Sequence, residues 1–187
     1  MQCRLNLILQ VIYMVSQKIV ILETPRLYLR EMLVDDAEDF FLLNSDPEVM
    51  RYTGDVPFKS IEETRQFVLG YKQYELRGYG RWTMRDKQTE EFIGWCGIRY
   101  FDNIGETDLG YRLLKKHWNK GYATEAGQAS INYGFNKIGL KRIIGRANKE
   151  NYASIRVFEK LGLTFEKYYT EDGEENVLYA IENGSNS

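Results

Sequence analysis

A chain of 187 residues corresponds to about one domain, and its 43% hydrophobic and 28% charged residues suit a folded core with a solvated surface. The 25 Lys and Arg against 27 Asp and Glu leave a net charge of -2, which excludes a nucleic-acid binder held by bulk positive charge. Two cysteines, Cys3 and Cys96, and one histidine, His117, exclude a disulfide framework, a multi-histidine metal site and most Ser-His or Cys-His chemistry. No metal is expected.

In chain order, Leu5 to Val15 is a mostly apolar run, too short to span a bilayer as a helix. Ser16-Gln17-Lys18 follows it where a signal peptide would carry a small-residue cleavage site. Met14 offers an alternative start. Residues 1–22 are therefore read as an N-terminal extension, residues 23–187 as one domain, and the protein as cytoplasmic with no membrane partner. Arg26 to Arg30 alternates apolar and polar residues and predicts a half-buried strand. Asp35 or Asp36 caps a short helix through Leu43. Ser60-Ile61-Glu62-Glu63 is a capping box for a long helix to about Arg77, ended by Gly78 and Gly80. Arg81–Arg85 and Glu91–Tyr100 predict antiparallel strands, and Thr107–Leu114 a further one. Tyr122–Asn136 is predicted as a helix, Arg142–Ala147 as a strand and Asn151–Leu161 as a helix. Thr164–Thr170 and Asn176–Ile181 flank Asp172-Gly173, a hairpin signal. This order fits neither an all-parallel doubly wound sheet nor a bundle. It predicts an α+β fold: a mixed, mostly antiparallel sheet of about seven strands with helices on both faces.

The chemistry concentrates in Asp108 to Ala126, where a strand runs through a turn into a helix opened by Gly121. The first helical turn has amides without intrahelical partners and the positive end of the helix dipole, so a diphosphate fits there. Gly121 permits close backbone approach, Ala123 keeps the face open and Lys120 adds a cation. On its own the same pattern is also an ordinary helix start. A second segment follows the next strand: Asn151, a good N-cap, with Ser154 in the first turn. Ile155, Phe158 and Leu161 recur at helical spacing and read as core.

Together these segments resemble the GNAT superfamily of N-acetyltransferases, in particular the branch of the ribosomal-protein N-terminal acetyltransferases. The likeness rests on Gly110-Tyr111, on Trp118-Asn119-Lys120-Gly121-Tyr122-Ala123-Thr124-Glu125-Ala126, on Asn151 to Ser154 and on Glu159 to Leu163. Thr24 to Arg30 and Ile93 to Ile98 match the family's opening and third strands. Asn119 and Leu163 depart from its usual glycine and phenylalanine. The resemblance implies a sheet splayed between the strands ending near Leu114 and Asn148, with acetyl-CoA as co-substrate in the opening. It implies a pyrophosphate on the amides of Asn119, Lys120, Gly121, Tyr122, Ala123 and Thr124, and Asn151 beside the cofactor. A backbone N–H at Leu113 or Leu114 is the implied oxyanion donor.

The implied reaction is direct attack of a primary amine on the thioester. Phe158 stands where many relatives carry a tyrosine acid, so Ser154 becomes the expected donor to the departing thiolate. Asp108 is the expected base, with Glu106 its neighbour; Asp172, Glu174 and Glu175 read as a solvated turn. His117 is expected at the surface, Cys96 in the core, and Trp82, Trp95 and Trp118 as core or cleft walls. The acceptor is a protein N-terminus or, alternatively, a small amine (polyamine, amino acid or antibiotic). A catalytically silent acetyl-CoA-binding module is the non-enzyme alternative. The chain is expected to be a monomer or a homodimer, with Tyr71, Tyr74, Tyr79, Tyr100 and Phe101 available either to an interface or to the core.

Overall fold

The structure, a computed structural model, describes residues 19–184. The apolar run Leu5 to Val15 and the alternative start at Met14 lie outside the described residues. Strands β1 (Val20–Glu23) and β2 (Leu27–Arg30) lead into helices α1 (Ala37–Ser45), α2 (Pro47–Met50), α3 (Ile61–Leu69) and α4 (Gln73–Arg77). Strands β3 (Arg81–Asp86), β4 (Phe92–Phe101) and β5 (Glu106–Leu113) follow, then α5 (Tyr122–Tyr133), β6 (Arg142–Asn148), α6 (Tyr152–Lys160), β7 (Thr164–Glu171) and β8 (Glu174–Glu182).

The strands form one eight-stranded sheet in the order β1-β2-β3-β4-β5-β6-β8-β7. The strand beyond the expected seven is β1, which pairs with β2; residues 20–22, assigned to the extension from sequence, therefore belong to the sheet. All pairings are antiparallel except β5 with β6, which is parallel and bridges only at Asp108↔Ile144. Beyond that bridge the two strands diverge, as the family resemblance implied. The β7–β8 turn has φ of 51° at Asp172 and 81° at Gly173, the left-handed pair of a tight two-residue hairpin.

Strand alternation gives the sheet two different faces. Trp82, Cys96, Ile98 and Leu109 point to one side and pack with Ala126 and Ile131 of α5 and Phe158 of α6 in the main core. Cys96 is fully buried, which pushes its thiol up to about 11 and confirms the core reading. The opposite face carries Arg81, Trp95, Arg99, Asp108 and Arg112. Phe40 and Leu43 of α1, with Val49 of α2 and Phe92, form a smaller core on this side.

Two helices differ from expectation. The helix expected from Ser60 to Arg77 is two helices, broken at Gly70, whose N–H closes α3 on Gln66 O at 2.9 Å. The break lets two tyrosines reach one residue: Arg81 N donates to Tyr71 Oη at 2.7 Å, and Tyr74 Oη donates to Arg81 O. The helix from Tyr122 is α-helical only to Tyr133 and then widens into a π turn over Gly134–Ile138. A Cβ on Gly134 would lie 2.9 Å from Ile143 Cδ1 and 3.0 Å from Ile98 Cδ1, so the helix packs close against the sheet at this glycine. Tyr79 is buried, and the Phe101 ring contacts the guanidiniums of Arg99 and Arg146, so these aromatics pack within the chain. Among the described residues no helix is long and apolar enough to cross a membrane.

Candidate active site

The splay between β5 and β6 opens into a cleft of about 1050 Å³. Its β5 wall is polar main chain. Leu114 N donates to Ile93 O at 3.0 Å, which fixes the hydrogen-bonding phase of the β4–β5 ladder. In that phase the N–H and C=O groups of Tyr111 and Leu113 point away from β4, into the splay. Leu114, expected as an alternative oxyanion donor to Leu113, has both main-chain groups engaged, its O accepting from His117 N at 2.8 Å. Leu113 O accepts from Trp118 Nε1 at 2.9 Å, which leaves the Leu113 N–H facing the opening.

At the mouth of the splay stands the N-terminus of α5. Asn119 and Gly121 are both left-handed, with φ of 59° and 81°. Such turns present successive amides to an anion, and the first helical turn adds its unpaired N–H groups. Asn119, Gly121, Tyr122, Ala123 and Thr124 line the cleft; Lys120 is exposed beside it.

A brace the sequence did not reveal holds this turn. Glu125 Oε1 accepts from Thr24 Oγ1 at 2.6 Å and from Arg26 N at 2.9 Å, and Oε2 accepts from Arg26 Nε at 2.7 Å. Arg26 Nη1 also donates to Lys120 O at 2.9 Å, and its guanidinium lies 4.3 Å from the centre of the Tyr122 ring. Burial alone would raise the Glu125 pKa, but the bonds from Thr24 and Arg26 outweigh it and hold the carboxyl below its usual value. The Thr24-Pro25-Arg26 segment was legible only as the lead into a strand.

Asn151 caps α6 as expected, its Oδ1 accepting from Ser154 N at 3.2 Å. Ser154 lines the cleft, and Tyr111 Oη donates to Ser154 O at 3.1 Å. Burial pushes the Tyr111 phenol up, and the bond to Ser154 offsets part of that rise. Phe158 is buried with its ring edge-on to Tyr111, so no acid comes from that position. His117, expected at the surface, is only 5% exposed and packs edge-on against Tyr122; burial lowers its pKa. The turn before α5 folds back over the sheet, which a local reading of charged neighbours does not show.

On the opposite face Asp108 is 5% exposed and lies between two guanidiniums. Arg81 Nη2 donates to Asp108 Oδ1, and Arg146 Nε donates to Oδ2 at 3.3 Å. Arg81 reaches from β3 across β4 because Gly97 and Gly110 face each other in the ladder. A Cβ on Gly110 would lie 2.5 Å from Arg81 Nη2. Ser154 and Asp108 thus line one cleft from opposite sides of the sheet.

A sheet parted after a single parallel bridge, with free main chain on one wall and a helix N-terminus at its mouth, defines the class: an acyl-CoA N-acyltransferase fold. The family model for the acetyltransferase (GNAT) domain matches residues 26–164. An uncharacterized N-acetyltransferase of Bacillus licheniformis, p20, is 37% identical over 142 residues, covering 75% of this chain and 80% of that protein. A GNAT-family acetyltransferase structure from Bacillus anthracis has a TM-score of 0.76 at 29% identity, over 86% of this chain and 97% of the other. A ribosomal L7/L12 alpha-N-protein acetyltransferase, solved with coenzyme A, shares the fold with a TM-score of 0.74 at 20% identity, over 87% and 97%. The chain belongs to the GNAT family of acetyl-CoA-dependent N-acetyltransferases.

Proposed function

We propose that the chain transfers the acetyl group of acetyl-CoA to the α-amine of a protein N-terminus, in the cytoplasm where this donor is made and used. The observation that carries the choice of amine is the state of Asp108. Both its oxygens accept from arginines, so the base expected there is already committed to two cations. An α-amine, with a pKa near 8, arrives partly neutral at physiological pH; a lysine-like amine near 10.4 needs a base to make it so. In this reading Asp108 is a positioning residue that orders Arg81 and Arg146.

The donor side follows from the free groups of the cleft. The amides of Asn119 to Thr124 hold the pyrophosphate, with Lys120 adding charge and Asn151 beside the channel. The main chain of Tyr111 and Leu113 pairs with the extended arm of the donor, and the Leu113 N–H steadies the oxyanion. The nitrogen lone pair attacks the thioester carbonyl, the C–S bond breaks, and the amine proton reaches the departing sulfur through Ser154 or a water it holds. A serine hydroxyl is a weak acid, so it serves as a hydrogen-bond donor or relay.

The test is thiol release from acetyl-CoA over peptides, polyamines, amino acids and aminoglycosides. Turnover on peptides with a free α-amine, and none on N-blocked peptides containing lysine, is the expected result. Faster turnover on a polyamine or on a lysine side chain overturns the choice of acceptor. Bound CoA with no turnover on any amine makes the chain a silent binding module.

A further inference from the structure

Among the described residues, the four acidic side chains that line the cleft all pair with cations of the chain itself. Glu48 pairs with Lys115, and Asp55 Oδ2 with Arg112 Nη2 at 2.5 Å. Asp108 is held by Arg81 and Arg146, and Glu171 Oε2 lies 3.6 Å from Arg146 Nη1. The arginines are not so balanced. Arg99 is exposed and makes no ion pair among the described residues; its guanidinium rests 4.6 Å from the centre of the Phe101 ring. Arg146 lies 4.4 Å from the centre of the same ring. Arg51, at the rim, stacks 5.0 Å from Tyr52 and also has no carboxylate partner among the described residues.

Position matters as much as charge. Arg99 is directly opposite Asp108 in the β4–β5 ladder, and Asp108 is the residue where the β5–β6 bridge closes the splay. The spare guanidinium therefore stands one strand away from the closed end of the cleft, on the face away from α5. A polycationic acceptor would find no unpaired carboxylate among the described lining residues and would meet an excess of positive charge.

We infer that the acceptor of this enzyme carries a carboxylate close to its reactive amine, and that Arg99 receives it. The inference rests on the acetyl-transfer reading above and narrows it to a substrate class. A carboxylate meets the planar donor fork of arginine with paired hydrogen bonds, and stacking on Phe101 holds that fork in place. An acidic side chain in the first residues of a peptide and a free acidic amino acid present the same chemistry.

The experiment compares kcat/KM for peptides that share a free N-terminal serine and differ only at the second residue: aspartate, alanine or lysine. Free aspartate and glutamate form a second arm, which separates a peptide source from an amino-acid source. The acidic substrate should lead by about tenfold or more, the range of one charge-assisted hydrogen bond, and added salt should erode the lead. Arg99→Glu should reverse the order of the aspartate and lysine peptides, while CoA affinity and melting temperature stay close to wild type. Arg99→Gln, which removes the charge without adding one, should flatten the preference. Equal rates on all three peptides with no faster turnover of free aspartate or glutamate, or a preference unchanged in both variants, overturns the inference while leaving acetyl transfer intact. No turnover on any amine by a protein that binds CoA overturns the transfer reading instead, and the inference with it.

Discussion

Gly121 offers the sharpest test of the donor site, because backbone strain and ligand charge can be separated there. Its φ is 81°, and a Cβ would meet only Arg26 Nη2, at 3.5 Å, an ordinary contact. Gly121→Ala therefore adds left-handed strain of roughly 1–2 kcal/mol without a clash. In a domain of this size that lowers Tm by roughly 2–8 °C. Gly121→Glu adds the same strain and also sets a carboxylate beside the amides proposed to receive a diphosphate. At roughly 5 Å and an effective dielectric of about 20, one pair of like charges costs about 3 kcal/mol, or about a hundredfold in affinity. Calorimetric titration with CoA, alongside thermal melts of both variants, reads the two effects separately. The expected result is similar melting for the pair and a loss of CoA affinity far larger in the glutamate variant. Equal CoA affinity in the two would refute the placement of the diphosphate at this turn.

Ser154→Ala should lower kcat by roughly 100-fold with little change in KM for acetyl-CoA, the pattern of a contact made mainly in the transition state. Its melting temperature should not move, since Asn151 holds the cap; a variant with full kcat and earlier melting would make Ser154 structural. Acid stability should depend on Asp36. Burial alone would raise its pKa, but bonds from Arg30, Leu33 N and Arg85 more than offset this and set it below the usual 3.8. A group depressed in the folded state stabilises it above the unfolded pKa and loses that contribution as pH falls through the folded value. Melts between pH 6 and pH 2 should therefore show a loss below about pH 4 that Asp36→Asn lacks. An identical pH slope in the variant would remove Asp36 as the cause.

Much of the geometry of the candidate donor site was local and therefore readable. Gly121 after Trp118-Asn119-Lys120 marks a helix start, and Asn151 marks another, because caps and left-handed turns are satisfied within a few residues of chain. The apolar strand around Cys96 likewise placed that residue in the core before any contact was known. The long helix expected between Ser60 and Arg77 failed partly for a local reason, the poor helix former Gly70 that closes α3. The nonlocal part is that Tyr71 and Tyr74, just past the break, both bond to Arg81.

By itself the sequence determined the order of strands β2 to β8, the two helix starts that frame the cleft and the family to which the chain belongs. Only the tertiary structure decided that Thr24 and Arg26 brace Glu125, that Leu113 and not Leu114 offers a free amide, and that Asp108 is taken by Arg81 and Arg146 while Arg99 is not. The physical reason is range. A cap or a turn is closed by neighbours in the chain. Charge pairing and the direction of a strand's free amides depend on which strand lies alongside, and the residues that settle it lie tens of positions away in the chain.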